Sequence, residues 1–162
     1  MAKPSGLKTC VKVKCEGDKK MVKQLTIFMA NEPGVLTKVS GILAKEKIDI
    51  RALNVAETID FGLLRLIVDN PDKAANALNA SQLSAIEHEV IAVEVEDTPG
   101  GLYKIAKVLS DNKINIEYLY AFVSRKKDKA YVVLRTDDLK KTQGILEKNK
   151  VRIVSDKEIE DI

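Results

Sequence analysis

Leu25, Ile27 and Met29 alternate with polar or smaller residues, the period of a strand with one buried face. Val35, Leu36, Val39, Ile42 and Leu43 then recur at helical spacing and predict an amphipathic helix to about Glu46. Pro33 suits the first turn of that helix, where its missing N–H costs nothing. Ile48, Ile50, Ala52 and Asn54 predict a second strand, and Asp60-Phe61-Gly62 reads as a hairpin turn. Leu64, Leu66 and Val68 predict a third strand. Pro71-Asp72 starts a second helix with Ala74, Ala77 and Leu78 inward, and Ala85–His88 is a short fourth strand. The order is β-α-β-β-α-β.

The same order then runs again. Ile91, Val93 and Val95 predict a strand, and Leu102, Ile105, Ala106, Val108 and Leu109 the inward face of a helix. Ile114–Val123 and Lys129–Arg135 read as the central strands. Leu139, Thr142, Ile145 and Leu146 mark a second helix, and Val151–Val154 the last strand. The register of the repeat comes from Asn31-Glu32-Pro33-Gly34-Val35-Leu36 and Asp97-Thr98-Pro99-Gly100-Gly101-Leu102, whose Pro-Gly pairs lie 66 residues apart. Leu43/Leu109, Lys47/Lys113, Ile48/Ile114, Ile50/Ile116, Leu53/Leu119 and Asp72/Asp138 match at that offset. A period of this length signals a duplicated small domain rather than a solenoid. One such unit has a thin core, so the two are expected to share burial.

The β-α-β-β-α-β order with right-handed crossovers is that of the ferredoxin-like α+β fold, a four-stranded antiparallel sheet with both helices on one face. Little more than Glu89 separates the units. So short a joint predicts two units side by side, forming an eight-stranded antiparallel sheet with the helices on one face. The expected boundaries are a leader at 1–20, domains at 21–88 and 90–156, and a tail at 157–162.

Composition is that of a water-soluble globular protein, with 45% hydrophobic and 31% charged residues. The net charge of +3 is unevenly placed. Six of 27 basic and two of 24 acidic residues lie in 1–20, leaving 21 against 22 in the repeat. A near-neutral repeat gives no electrostatic case for nucleic acid or membrane binding. No apolar run approaches the roughly 18 residues of a membrane span, and the leader lacks a secretory signal's apolar segment and cleavage site. It reads as an appended or mis-started segment, with Met21 as the natural start, and is expected to be dispensable. Its Cys10 and Cys15 are spaced too widely for a zinc pair and lack further ligands, although Thr9–Cys15 alternates like an edge strand. A repeat free of cysteine suits the reducing cytoplasm, and no metal or other cofactor is expected.

The duplicated loop carries the chemistry. The first amides of a helix lack internal partners and bear partial positive charge, which suits a carboxylate. Gly34 and Gly100 would let a ligand approach the backbone closely. Asn31 and Asp97 could accept from an ammonium group, and the two features together describe a free α-amino acid. Alternatively, Asn31 and Asp97 merely cap their helices. Both readings stand on the loop alone.

Pro-Gly-x-Leu after a strand, in a β-α-β-β-α-β unit whose helix ends a turn before Ile-x-Ile, resembles the ACT domain. The resemblance covers residues 22–156 and is closest to stand-alone tandem ACT proteins. It implies amino-acid binding where two units meet, with a ligand loop from one and a residue near the start of the second strand of the other. One site would then combine Asn31, Pro33, Gly34, Val35 and Leu36 with Asn115. The other would combine Asp97, Pro99, Gly100, Gly101 and Leu102 with Asp49. The sites differ, since two Asp residues repel unless a cation lies between them. Gly101 is also expected to leave more room than Val35, and one site to bind better.

The implied function is a non-catalytic, amino-acid-binding regulatory protein, acting through a homodimer or a partner enzyme of amino-acid metabolism. The alternative is an RNA-binding module, because RNA-recognition motifs share this order. That reading needs exposed aromatics on the third strand of each unit, and only Tyr131 is there. An enzyme ranks below both, because His88, the only histidine, has no nucleophile in a motif with it. Tyr118 and Tyr120 read as sheet packing or interface lining, Phe61 as a hairpin anchor, and Arg125-Lys126-Lys127 as a solvated hairpin tip.

Overall fold

A computed structural model of the chain describes residues 21–30, 32–57, 61–122 and 128–160. The leader, Asn31, Asp60, Val123 and the basic tip at 125–127 lie outside them. The first repeat is β1 (Val22–Met29), α1 (Val35–Lys45), β2 (Ile50–Glu57), β3 (Gly62–Val68) and α2 (Pro71–Ala80). A single strand, β4 (Ala85–Glu96), leads into α3 (Gly101–Asp111), β5 (Ile116–Phe122), β6 (Lys129–Thr136), α4 (Leu139–Lys148), β7 (Ile153–Val154) and α5 (Asp156–Glu160).

The sheet has seven strands in the order β2-β3-β1-β4-β6-β5, with β7 also on β4. This corrects the expected eight. The last strand of the first repeat and the first of the second are one strand. Ala85–Val90 pair with β1 and Ile91–Glu96 with β6, without a bulge at the joint. The cause is local: 85–96 contains neither Pro nor Gly, and its alternation stays in phase throughout. The closing strand is also shorter than Val151–Val154, because only Ile153 and Val154 find partners on β4.

The shared strand fixes the layers. Odd residues of β4 face the helices. Ile91, Val93 and Val95 pack with Ile105 and Leu109 of α3 and Leu146 of α4. Leu25 and Ile27 pack likewise under Val39 and Leu43 of α1 and Leu78 of α2. Even residues face the other way, and there the sheet curls onto itself. Val22, Ala52, Ile67 and Val90 meet Ala92, Tyr120, Phe122, Tyr131 and Val133 in a central core. Helices α1 to α4 thus share one face of a continuous sheet whose other face folds onto itself around this core. This is how two thin units share burial.

Gln24 is the polar pin of that closure. It is fully buried, accepts from the Tyr120 hydroxyl at 2.9 Å and donates to the Tyr118 hydroxyl at 2.9 Å. Burial pushes the Tyr120 phenol above its ordinary range and keeps it a neutral donor. Tyr118 and Tyr120 therefore do line the contact between repeats.

The repeat holds at two offsets. Helix exits in left-handed conformation fall at Lys47 and Lys113, 66 apart, but at Gln82 and Lys150, 68 apart. The strand ladders agree, with Leu25↔Leu66 matching Ile91↔Leu134. Two extra residues therefore sit between β5 and β6. The match of Asp72 with Asp138 is corrected accordingly, and the true pair is Asn70 and Asp138. Each caps its helix, accepting from Lys73 N–H at 3.0 Å and Lys141 N–H at 2.9 Å. Asp138→Ala should cost about 1 kcal/mol, read from a urea melt.

Candidate functional site

The two Pro-Gly loops adopt nearly one conformation. Gly34 has φ 92° and ψ −12°, and Gly100 φ 90° and ψ −6°. Both are left-handed, which side chains other than Gly adopt at a cost. Each is the N-cap of its helix, so α1 begins at Val35, and Pro33 and Pro99 stand in the turns before it and α3. Being glycines, neither N-cap residue offers a side chain to its helix start. Among the described residues no amide at the start of α3 donates to the Asp97 side chain, and Asn31 lies outside them. Its N–H donates to the Asp128 carbonyl at 3.1 Å. The Gly101 N–H turns back to the Thr98 carbonyl at 2.9 Å, and that of Val35 to Glu32 at 3.5 Å. Among the described residues, the amides of the next two residues in each helix meet no side-chain acceptor.

The second loop is tighter than expected. A Cβ on Gly101 would lie 2.1 Å from the Glu96 carbonyl oxygen, whereas Gly34 and Gly100 have open space around theirs. The room that Gly101 was expected to leave is filled by the chain's own backbone.

Asp49 and Asn115 stand at matching places. The Asp49 N–H donates to the Asp69 carboxylate at 3.1 Å, and that of Asn115 to Asp137 at 3.3 Å. The return bonds reach the Asp49 and Asn115 carbonyls at 3.1 and 3.4 Å. Both side chains are exposed, and the Asp49 carboxylate pairs with Arg51 at 3.3 Å. Met29 and Glu57 both pair with Gly62, so β1 delivers its loop to the end of the sheet where β2 finishes. Asp49 is therefore remote from its own repeat's loop, and Asn115 is placed in the same way in the second repeat. Across the repeats the approach is closer. Phe28, just before the first loop, shares a cavity with Glu117 and Tyr118, just past Asn115.

Beside the second loop is a cavity of about 370 Å³, walled by Gly101, Glu94, Glu96, Lys104, Lys129 and Arg152 among others. Asp49 does not line it. Lys104 lies 2.7 Å from Glu96 and holds that carboxyl below its ordinary range. Arg152 bridges Glu94 at 2.7 Å and Glu158. Glu158 is held low chiefly by the Ser155 N–H and also by Arg152. None of these charged residues was singled out from sequence. The available signal was Glu94 and Glu96 alternating with Val93 and Val95, which places two carboxylates on the inner face.

A family model described as an ACT domain pair matches residues 20–162. The chain belongs to the ACT domain pair family. The crystal structure of protein BT0572 from Bacteroides thetaiotaomicron is 36% identical, covers 90% of this ACT pair and 100% of that chain, and superposes with TM-score 0.84. The ligand-free regulatory subunit of aspartate kinase from Thermus thermophilus is 17% identical, with 78% and 91% coverage and TM-score 0.56. The corresponding subunit from Thermus flavus is 16% identical, with 77% and 88% coverage and TM-score 0.56. At those identities the likeness concerns the fold of the ACT pair. No curated protein sequence matches it. Among the described residues no helix of the ACT pair is long and apolar enough to cross a membrane, and no group of His, Cys, Asp and Glu could hold a metal.

Proposed function

We propose that this ACT pair is a non-catalytic sensor of a free amino acid, bound at the Pro-Gly loops where the two repeats meet. The observation that carries the reading is the pair of helix starts, each opened by a left-handed glycine that has no side chain of its own to cap them. The ligand carboxylate takes the amides of Leu36 and Thr37, or of Leu102 and Tyr103. Asn31 or Asp97 accepts from its ammonium group, and Asn115 or Asp49 completes the site from the other repeat. The first site is the better candidate, because Phe28 and Glu117 already meet beside it. The second has Gly101 closed by backbone and Asp49 turned to Arg51. Two structural neighbours are themselves regulatory subunits of aspartate kinase, which favours a homodimer or a partner enzyme of amino-acid metabolism as the recipient of the signal. A cytoplasmic setting fits that role.

The RNA alternative lacks its surface. The sheet face that would stack bases is the closed one, where Tyr131 is 2% exposed and its ring centroid lies 5.3 Å from that of Phe122.

A thermal-shift screen of the twenty amino acids tests the proposal. At a hundred times its dissociation constant a ligand adds about 2.7 kcal/mol, which raises the Tm of a chain this long by about 5–10 °C. If no amino acid at millimolar concentration raises the Tm or shifts an NMR spectrum, the reading fails.

A further inference from the structure

The curled sheet builds one groove twice and fills it once. With offsets of 66 and 68 residues, Thr26 corresponds to Ala92, Arg65 to Val133, Tyr118 to Ala52 and Arg135 to Ile67. On one side, Ile159 of α5 joins the cluster that contains Ala92, Val133, Ala52 and Ile67. It is 2% exposed there. On the other side, Thr26, Arg65, Tyr118 and Arg135 bound a cavity of about 200 Å³. No described helix corresponds to α5 on that side.

The chemistry of the two sides differs in one direction. Two aliphatic walls, Val133 and Ile67, are replaced by arginines. Arg135 is matched: it donates to the Glu89 carbonyl at 2.7 Å, and its Nε lies 3.5 Å from Glu117. Arg65 is not. Its guanidinium sits 3.9 Å over the Tyr118 ring, its hydrogen bond to Asn54 is long at 3.4 Å, and it pairs with no carboxylate among the described residues. A half-buried guanidinium held flat on an aromatic ring keeps its donor edge available for a carboxylate. His88 and Glu117 also line the cavity, the Glu117 carboxylate being held by Arg135, and the apolar part of the wall is two side chains. Leu63 and Phe28 line the cavity, and Phe28 is 47% exposed although it points to the inner face. Phe61 stands against Phe28 with ring centroids 6.0 Å apart.

We propose that this open groove is a second ligand site of the ACT pair, taking a small monocarboxylate with an aromatic or branched apolar body. The carboxylate meets Arg65, and the body replaces on this side the apolar plug that Ile159 supplies on the other. The inference does not depend on the loops. Arg65, Tyr118 and Phe28 form the site, and Gly34 and Gly100 take no part.

The test uses 3-phenylpropanoate and its neutral amide as probes on the full chain, followed by calorimetry and by NMR shifts of the Phe28 and Tyr118 rings. The expected result is saturable millimolar binding of the acid, weakened at least about tenfold for the amide and for Arg65→Gln. Leu63→Trp fills the cavity while retaining the Arg65 guanidinium and should also abolish binding. It decides the matter if Arg65→Gln fails to fold. Gly34→Val and Gly100→Val should leave probe binding unchanged, which separates this site from the loop sites. Equal affinity for acid and amide would overturn the proposal. So would undiminished binding in a folded Arg65→Gln or Leu63→Trp variant, or no saturable binding to the wild-type chain.

Discussion

Gly101→Val is expected to destabilise the protein by about 3 kcal/mol or more, in the range left to backbone clashes and core disruption. The added Cβ would stand 2.1 Å from the Glu96 carbonyl oxygen and 3.2 Å from a Val95 methyl. Neither is the far end of a flexible side chain, so β4 or the first turn of α3 must move. A drop in Tm of about 6–12 °C follows. Gly34→Val is the control, because open space surrounds its Cβ and only the left-handed φ of 92° is penalised. That costs about 1–2 kcal/mol. Urea melts of the two variants decide it. A Gly101→Val protein no less stable than Gly34→Val would mean that the second loop is looser than described.

Ile159→Ala is expected to cost about 2–4 kcal/mol, the range for emptying a fully buried aliphatic site. Ile159 sits in the central core with Tyr131 and Val154, although it belongs to a helix of five residues. Its neighbour Glu158 holds Arg152, which in turn holds Glu94, so α5 closes both the core and the charged wall of the second cavity. The same melt reads this change. A loss below about 0.5 kcal/mol, the size of an ordinary surface substitution, would show that α5 is not part of the core.

These two positions mark where the sequence stops being legible. The repeat, the element order and the central inward residues of α1 and α3 follow from apolar spacing and one duplicated loop, whereas Leu36 and Leu102, expected on the inward faces, are 46% and 45% exposed because they stand on the first turns beside the loops. Val39 and Leu43 of α1 are buried, as are Ile105 and Leu109 of α3. The shared strand did not follow, because Glu87-His88-Glu89 looks like a polar joint. In place, Glu87 and Glu89 take the helix-facing phase of the sheet, and His88 takes the inner phase beside the groove. The two-residue shift after β5 was hidden for a related reason: an alternating strand matches itself equally well when slid by two. A five-residue helix with one isoleucine carries no periodic signal. Gly101 looked permissive because a sequence shows the missing side chain and not the carbonyl that fills its place. Of the candidate loops, the position of each Pro-Gly pair at the start of a helix was legible. Their neighbours Glu94, Glu96, Lys104 and Arg152 were not, because they meet through the pairing of β7 with β4 and the turn into α3.

The loops and the cross-repeat residues also bear on how a signal leaves the protein. A ligand held by both repeats favours the arrangement that keeps the two halves of its site together, and only by its difference in affinity between arrangements. Typical couplings of about 1–3 kcal/mol are enough to alter an oligomer balance or an exposed partner surface.

Calorimetry of the amino acid found by screening, on Gly34→Val, Gly100→Val, Asn115→Ala and Asp49→Ala, tests the central claim most directly. Gly34→Val or Gly100→Val should abolish binding at its own loop with the fold retained. Asn115→Ala should weaken the site built on Asn31, and Asp49→Ala the site built on Asp97. If both cross-repeat substitutions leave affinity untouched in folded protein, the ligand does not sit between the repeats.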